Sequence, residues 1–112
     1  MVRQTEPVRR GDVFLINLDP TRGGEIKKTR PCVIVSPDEL NDHLRTFIVA
    51  PLTTGSHGYP FRLPCRFAGR IGHVVLDQIR TVDHGRLVRR LGKLSSPALE
   101  KALAVLQEMF AP

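Results

Sequence analysis

Residues 11–36 read Gly-Asp-Val-Phe-Leu-Ile-Asn-Leu-Asp-Pro-Thr-Arg-Gly-Gly-Glu-Ile-Lys-Lys-Thr-Arg-Pro-Cys-Val-Ile-Val-Ser. Two apolar runs, residues 13–18 and 32–35, the second ending at Ser36, flank a charged loop. Each run is short and rich in β-branched residues, so each predicts a strand. The first is nearly all apolar, which places it under cover on both faces or inside a barrel. The loop at 19–31 turns with Asp19-Pro20 and Gly23-Gly24, because Pro presets φ and Gly admits φ > 0. Turning a corner needs no charge. The loop nevertheless holds Arg22, Glu25, Lys27, Lys28 and Arg30, four cations around one carboxylate, a pattern suited to an anion.

Working outward, residues 46–50 predict a third strand ending at Pro51-Leu52, followed by a polar, glycine-rich loop at 53–60. Residues 61–63 form a short strand that Pro64 either breaks or marks as a sheet edge, with 65–67 as its continuation. Residues 72–76 predict another strand, running into 77–82, and 87–88 and 92–94 two short extended pieces. Pro37 followed by Asp38 and Glu39 predicts a turn or one short helical turn. Near the end, Ser96 as cap, Pro97 at the first helical position and Glu100 in the first turn open a helix. Leu99, Ala102, Leu103, Leu106, Met109 and Phe110 give it one apolar face. Alone it would be marginal, so it must lie on the sheet. Five to seven short strands and a terminal helix predict a mainly β (β-rich α+β) fold, a small curled antiparallel sheet or barrel. The 112 residues fit one domain over 1–112, with 1–10 a frayed start.

Lys and Arg number 17 against 11 Asp and Glu, a net charge of +6. For so small a chain this points to a polyanion or an acidic protein as partner, or to solubility alone. Aromatic residues are 5% with no Trp, which argues against a nonspecific base-stacking platform. Cys32 and Cys65 lie far apart outside any C-x-x-C and read as reduced packing thiols of a cytoplasmic protein. No signal-peptide pattern and no apolar run near ~18 residues occur, so no membrane is expected. His43, His57, His73 and His84 show no metal-ligand spacing, and neither nucleotide-binding nor G-x-S-x-G motifs occur. No metal and no cofactor are expected.

What remains is an Arg/Lys/Glu constellation with hydroxyls nearby. RNA can be cut by such a set, because its own 2′-OH attacks the adjacent phosphorus. A carboxylate can take that proton. A guanidinium offers a phosphoryl group two parallel donors and a fixed charge. A threonine hydroxyl can donate to a non-bridging oxygen. The products would be a 2′,3′-cyclic phosphate and a 5′-OH.

Gly11-Asp12-Val13, Asn17-Leu18-Asp19-Pro20-Thr21, Gly23-Gly24-Glu25 and Arg30-Pro31 form a series of ordered blocks. Val49-Ala50-Pro51-Leu52-Thr53-Thr54, Gly58-Tyr59-Pro60-Phe61 and Leu76-Asp77-Gln78-Ile79-Arg80 continue it. Together they resemble the MazF/PemK family of type II toxin–antitoxin toxins, from residue 11 to the end. The resemblance implies an SH3-like barrel of the CcdB/MazF type with a C-terminal helix, working as a homodimer. It implies a metal-independent mRNA interferase cutting single-stranded RNA at a short sequence. It also implies a cognate antitoxin whose acidic tail covers the RNA groove, which fits the +6 charge. The family's essential arginine falls on Arg30, its threonine on Thr53 and its acid on Glu25. Some relatives carry a histidine or glycines where this chain has Ile26-Lys27-Lys28-Thr29, so an acid–base histidine is missing from that loop.

Around this catalytic set, Arg22, Lys27, Lys28 and Thr29 are expected to draw in the RNA backbone, with Ser36 and Thr54 lining the pocket. Tyr59 and Phe61 either stack a base or anchor the fold. Gln78 reads a base edge or fixes a loop, and Arg80 extends the basic surface. Two rival readings are a gyrase-inhibiting toxin on the same scaffold, as in CcdB, and a plain RNA-binding module. The Glu25/Arg30 constellation favours the nuclease.

Overall fold

A computed structural model of the chain describes residues 6–54 and 59–112. In chain order the elements are β1 (Asp12–Asn17), β2 (Thr29–Ile34), α1 (Asp38–His43), β3 (Thr46–Thr54), β4 (Arg62–Phe67), β5 (Arg70–Val75), β6 (Arg80–Asp83), β7 (Leu87–Lys93) and α2 (Ser96–Phe110). Short 3-10 turns at Leu76–Gln78 and His84–Arg86 link β5 to β6 and β6 to β7. The sheet runs β4-β5-β3-β2-β1-β7, with β6 paired to β3, and every pairing is antiparallel.

β3 carries two partners in succession along one edge. Its first half pairs with β6 (Thr46↔Asp83 to Val49↔Arg80) and its end with β5 (Leu52↔Val74 to Thr54↔Gly72). The sheet curls but does not close: β4 and β7 stand at its two ends without pairing to each other. Of the curled sheet or barrel expected, this is the curled sheet, in a mainly β fold with a C-terminal helix. Pro64 sits inside β4, where an outer strand tolerates the missing N–H.

β1 is covered on both faces, as its composition requires. Phe14 and Ile16 enter one cluster with Leu18, Ile34, Phe47, Val49, Val82 and Leu87. Val13 points the other way, into a cluster with Val33, Ala50, Leu52, Val74 and Leu76. Each fully buried aliphatic or Phe side chain contributes about 1.5–3 kcal/mol. α2 closes the second cluster through Ala102, with Ala98, Val105, Leu106 and Met109 packed alongside. Phe110, the last expected member of that face, is 70% exposed. The helix cap lies one residue earlier than expected. Ser95 Oγ accepts the Ala98 N–H at 3.3 Å, and no acid falls in the first turn.

Strand boundaries shift because cross-strand pairing extends strands past sequence punctuation. β2 begins at Thr29, so Arg30 and Pro31 lie within a strand opposite Ile16 and Leu15. β3 passes through Pro51, so Thr53 is strand and not loop. β7 is one strand where two pieces were expected. The approach to β1, expected to fray, places Val8 in the core at 5% exposure. Arg9 N–H donates to Asp12 Oδ2 at 2.8 Å and Arg10 N–H to Asp38 Oδ1 at 2.7 Å. Residues 1–5 lie outside the described residues, as do 55–58 of the expected loop at 53–60. Both cysteines are free thiols, and burial pushes the Cys32 thiol up to about 12.

β3 and β5 touch so closely at Gly72 that a Cβ there would lie 1.8 Å from the Thr53 carbonyl oxygen. Backbone cannot yield as a side-chain tip does. Gly72→Ala is therefore expected to lower stability by about 1–3 kcal/mol. Urea unfolding measures it, and an unchanged midpoint would contradict this close approach.

Candidate functional site

A groove of ≈ 580 Å³ opens where β2, β3, β5 and β7 meet. Arg30, Thr53, Thr54, Arg70, His73 and Arg89 line it with apolar neighbours that include Leu52 and Phe67, and none of the lining residues is a carboxylate. The register explains this gathering. Thr53 lies opposite His73. Arg30 precedes Cys32, the partner of Pro51, by two residues, and Thr53 follows Pro51 by two; both line the groove. Facing residues on neighbouring strands share one side of the sheet, so Thr53 and His73 sit side by side, and Arg30 extends them into a polar row along the groove.

The row is polar but under-partnered. Arg30 Nε donates to the Lys27 carbonyl at 3.1 Å, which holds the guanidinium by one edge. Among the described residues the ion pairs involve Arg9, Arg62 and Arg90, so Arg30, Arg70 and Arg89 lack a carboxylate. Thr53 Oγ1 and His73 Nδ1 are shut off from solvent with no hydrogen-bond partner. Left unsatisfied, such an atom costs about 1–3 kcal/mol, and at a groove wall water or a ligand can satisfy it.

Glu25 lies in a second groove of ≈ 740 Å³, with Pro20, Gly24, Ile26, Pro51, Asp77, Gln78 and Arg80. Its Oε1 accepts the Arg22 N–H at 2.8 Å while its own N–H donates to the Arg22 carbonyl at 3.0 Å, closing a tight turn. Gln78 clamps this loop to the sheet. Its Oε1 accepts the Ile26 N–H at 2.7 Å and its Nε2 donates to the Gly24 carbonyl at 3.1 Å. Arg80 Nη1 donates to the Leu18 carbonyl at 2.9 Å, and Arg86 Nη1 to the carbonyls of Asn17 and Asp19. Asp77 takes a two-pronged bond from Arg62 at 2.8 and 2.9 Å, and the Arg62 guanidinium lies 4.9 Å from the Tyr59 ring centre. No three His, Cys, Asp or Glu among the described residues gather closely enough to hold a metal ion.

The structure therefore divides the expected site. Arg30, Thr53 and Thr54 share the first groove; Glu25, Gln78 and Arg80 share the second. Arg22, Lys27, Lys28 and Thr29 are exposed around the loop. Gln78 binds loop backbone through both ends of its amide, the loop-fixing alternative of its reading. Ser36 belongs to neither groove. It is 3% exposed, donates to Asn41 Oδ1 at 2.6 Å and accepts the Ile48 N–H at 3.1 Å. That corrects its place in the pocket: its hydroxyl is a bracket between β3 and α1. Tyr59 and Phe61 stand outside both grooves, Phe61 in a shallow one beside Val105. Sequence reasoning passed over His73, which has no ligand spacing, and Arg70, which reads as a turn. Only the β3–β5 register brings them to Thr53.

Gln78→Ala should free the loop. Hydrogen exchange at the Ile26 amide is expected to quicken about tenfold, the equivalent of one net hydrogen bond; unchanged exchange would show that the clamp is idle. The bond from Arg62 holds the Asp77 carboxyl below its ordinary 3.8. Its stabilising effect is present above that value and is lost as pH falls through the lower, folded one. Both side chains are partly exposed, so the effect stays within about 1 kcal/mol. In an NMR titration Arg62→Ala should return the Asp77 midpoint to the ordinary range, and a midpoint that stays low would point to another cause.

A family described as "PemK-like, MazF-like toxin of type II toxin-antitoxin system" matches residues 9–110. The chain is 34% identical to the endoribonuclease toxin ChpB of Escherichia coli (strain K12), over 96% of this chain and 97% of that protein. It is 33% identical to the endoribonuclease PemK of Escherichia coli, over 98% and 87%. Its fold is similar to MazF (Form-I) from Deinococcus radiodurans, with a TM-score of 0.81 and 24% identity over 93% of this chain and 96% of that one. A mycobacterial endoribonuclease in complex with its cognate antitoxin is similar at a TM-score of 0.77 and 24% identity, over 96% and 98%. These two structures bear on the fold; the family match and the relatives at one-third identity bear on descent. Both grooves lie inside the matched residues, and the chain belongs to the PemK-like, MazF-like toxins of type II toxin–antitoxin systems.

Proposed function

We propose that the chain is a sequence-specific endoribonuclease toxin that cuts single-stranded RNA, mRNA included, without a metal. The observation that carries this reading is the Arg30–Thr53 pair in a cationic groove free of carboxylates, with the Thr53 hydroxyl unpartnered. ChpB and PemK, both named endoribonucleases, support it through identity over nearly the whole chain. A phosphate entering the groove gives the planar Arg30 guanidinium two oxygens to bind, and gives the Thr53 hydroxyl, once turned toward it, an acceptor. The 2′ oxygen then attacks phosphorus, the P–O5′ bond breaks, and a 2′,3′-cyclic phosphate and a 5′-OH result. Arg30 and Thr53 stabilise charge on the non-bridging oxygens. Arg stays protonated and acts through its field.

Glu25 is the carboxylate assigned to the 2′-OH proton. It lies in the second groove, whose wall includes Pro51, two residues before Thr53 in β3. RNA bound along β3 passes both grooves, with Arg22, Lys27 and Lys28 drawing in its backbone and Thr29 and Thr54 beside the path. The same unneutralised cations suit the acidic tail of a cognate antitoxin. The working form is a homodimer in the cytoplasm.

Arg30→Ala is expected to keep the fold, seen by circular dichroism, while cleavage of a mixed RNA transcript falls at least about 100-fold. Glu25→Gln should slow it by roughly 10²–10⁴. Wild-type cutting by the Arg30 variant would refute the site. Cleavage should persist in EDTA, and loss restored by added divalent ion would refute the metal-free reading. End mapping of the fragments should show a cyclic phosphate and a 5′-OH.

A further inference from the structure

We propose that His73 is the general acid of this site, giving the leaving 5′ oxygen its proton. The inference rests on the nuclease reading and supplies a role that the loop at 26–29 lacks. His73 lines the groove and stands directly opposite Thr53. The missing side chain of Gly72 lets β5 approach the Thr53 backbone closely, which holds the next residue, His73, in register with Thr53. With Nδ1 sealed and unpartnered, Nε2 is the nitrogen left to reach a bound phosphate.

The titratable and charged groups facing His73 are Arg30 from β2, Cys65 from β4, Arg70 from β5 and Arg89 from β7. None of the others can do this work. A guanidinium keeps its proton, and burial pushes the Cys65 thiol up. An imidazole is the side chain that ordinarily exists in both forms near neutrality. In the step, the 2′-OH proton passes to the site's base and the 2′ O–P bond forms. The P–O5′ pair stays on oxygen, which takes the proton from the imidazolium. Water then reprotonates the ring.

The test compares ordinary RNA with RNA whose mapped cleavage site carries a bridging 5′ sulfur. The thiolate leaves without a proton, so it needs no acid. His73→Ala is expected to cut ordinary RNA about 10²–10⁴ more slowly and the 5′-thio RNA at the wild-type rate, while Arg30→Ala is slow on both. With unmodified protein, the fall in rate toward high pH should appear with ordinary RNA and vanish with 5′-thio RNA, a readout that decides the matter even if the variant misfolds. Equal slowing of a folded His73 variant on both substrates, wild-type cutting of ordinary RNA by it, or identical alkaline limbs would overturn the assignment. Unmodified protein that cuts neither RNA would overturn the nuclease reading and His73 with it.

Discussion

β3 is hydrogen-bonded on both edges, and the rest of the molecule depends on that constraint. β2 takes one edge; β6 and then β5 take the other. The change of partner falls next to Pro51, which has no N–H to offer. The 3-10 turn at Leu76–Gln78 absorbs the offset between the two pairings. Because one strand serves these partners in succession, its end passes from β2 at Pro51 to β5 at Leu52, and Thr53 is set opposite His73.

The same arrangement sorts the charges. Asp12, Asp38, Asp42 and Asp77 are engaged by Arg90, Arg9 and Arg62 away from the first groove. Among the described residues Arg30, Arg70 and Arg89 line that groove without a carboxylate partner. Three of the chain's cations thus stand where the unpartnered Thr53 and His73 atoms lie. Like charges so placed repel, and a bound polyanion relieves that repulsion. The charged loop is pinned independently, by Gln78, Arg80 and Arg86 on its backbone. Its conformation is therefore set by the sheet before any ligand arrives.

Much was legible along the chain. β1 and β2 stand out because apolar β-branched runs fit buried strands. α2 stands out because its apolar spacing matches 3.6 residues per turn. Arg30 and Thr53 were reached through the resemblance of several ordered blocks. Misjudged strand boundaries cluster at Pro31 and Pro51. There, local punctuation competes with pairing, and pairing wins because each strand residue gains partners that a loop residue lacks. Ser36 looked like a strand-end hydroxyl, but Asn41 and Ile48 close over it.

By itself, the sequence determined the element types, the basic balance and the family, because periodicity, composition and ordered motifs are local or additive properties of the chain. Tertiary structure alone decided which side chains meet. A strand's register is set by its partner, and a one-residue slip would turn Thr53 and His73 to the opposite face. For that reason Glu25, five residues from Arg30, lies in a different groove, while His73, twenty residues from Thr53, stands directly across from it.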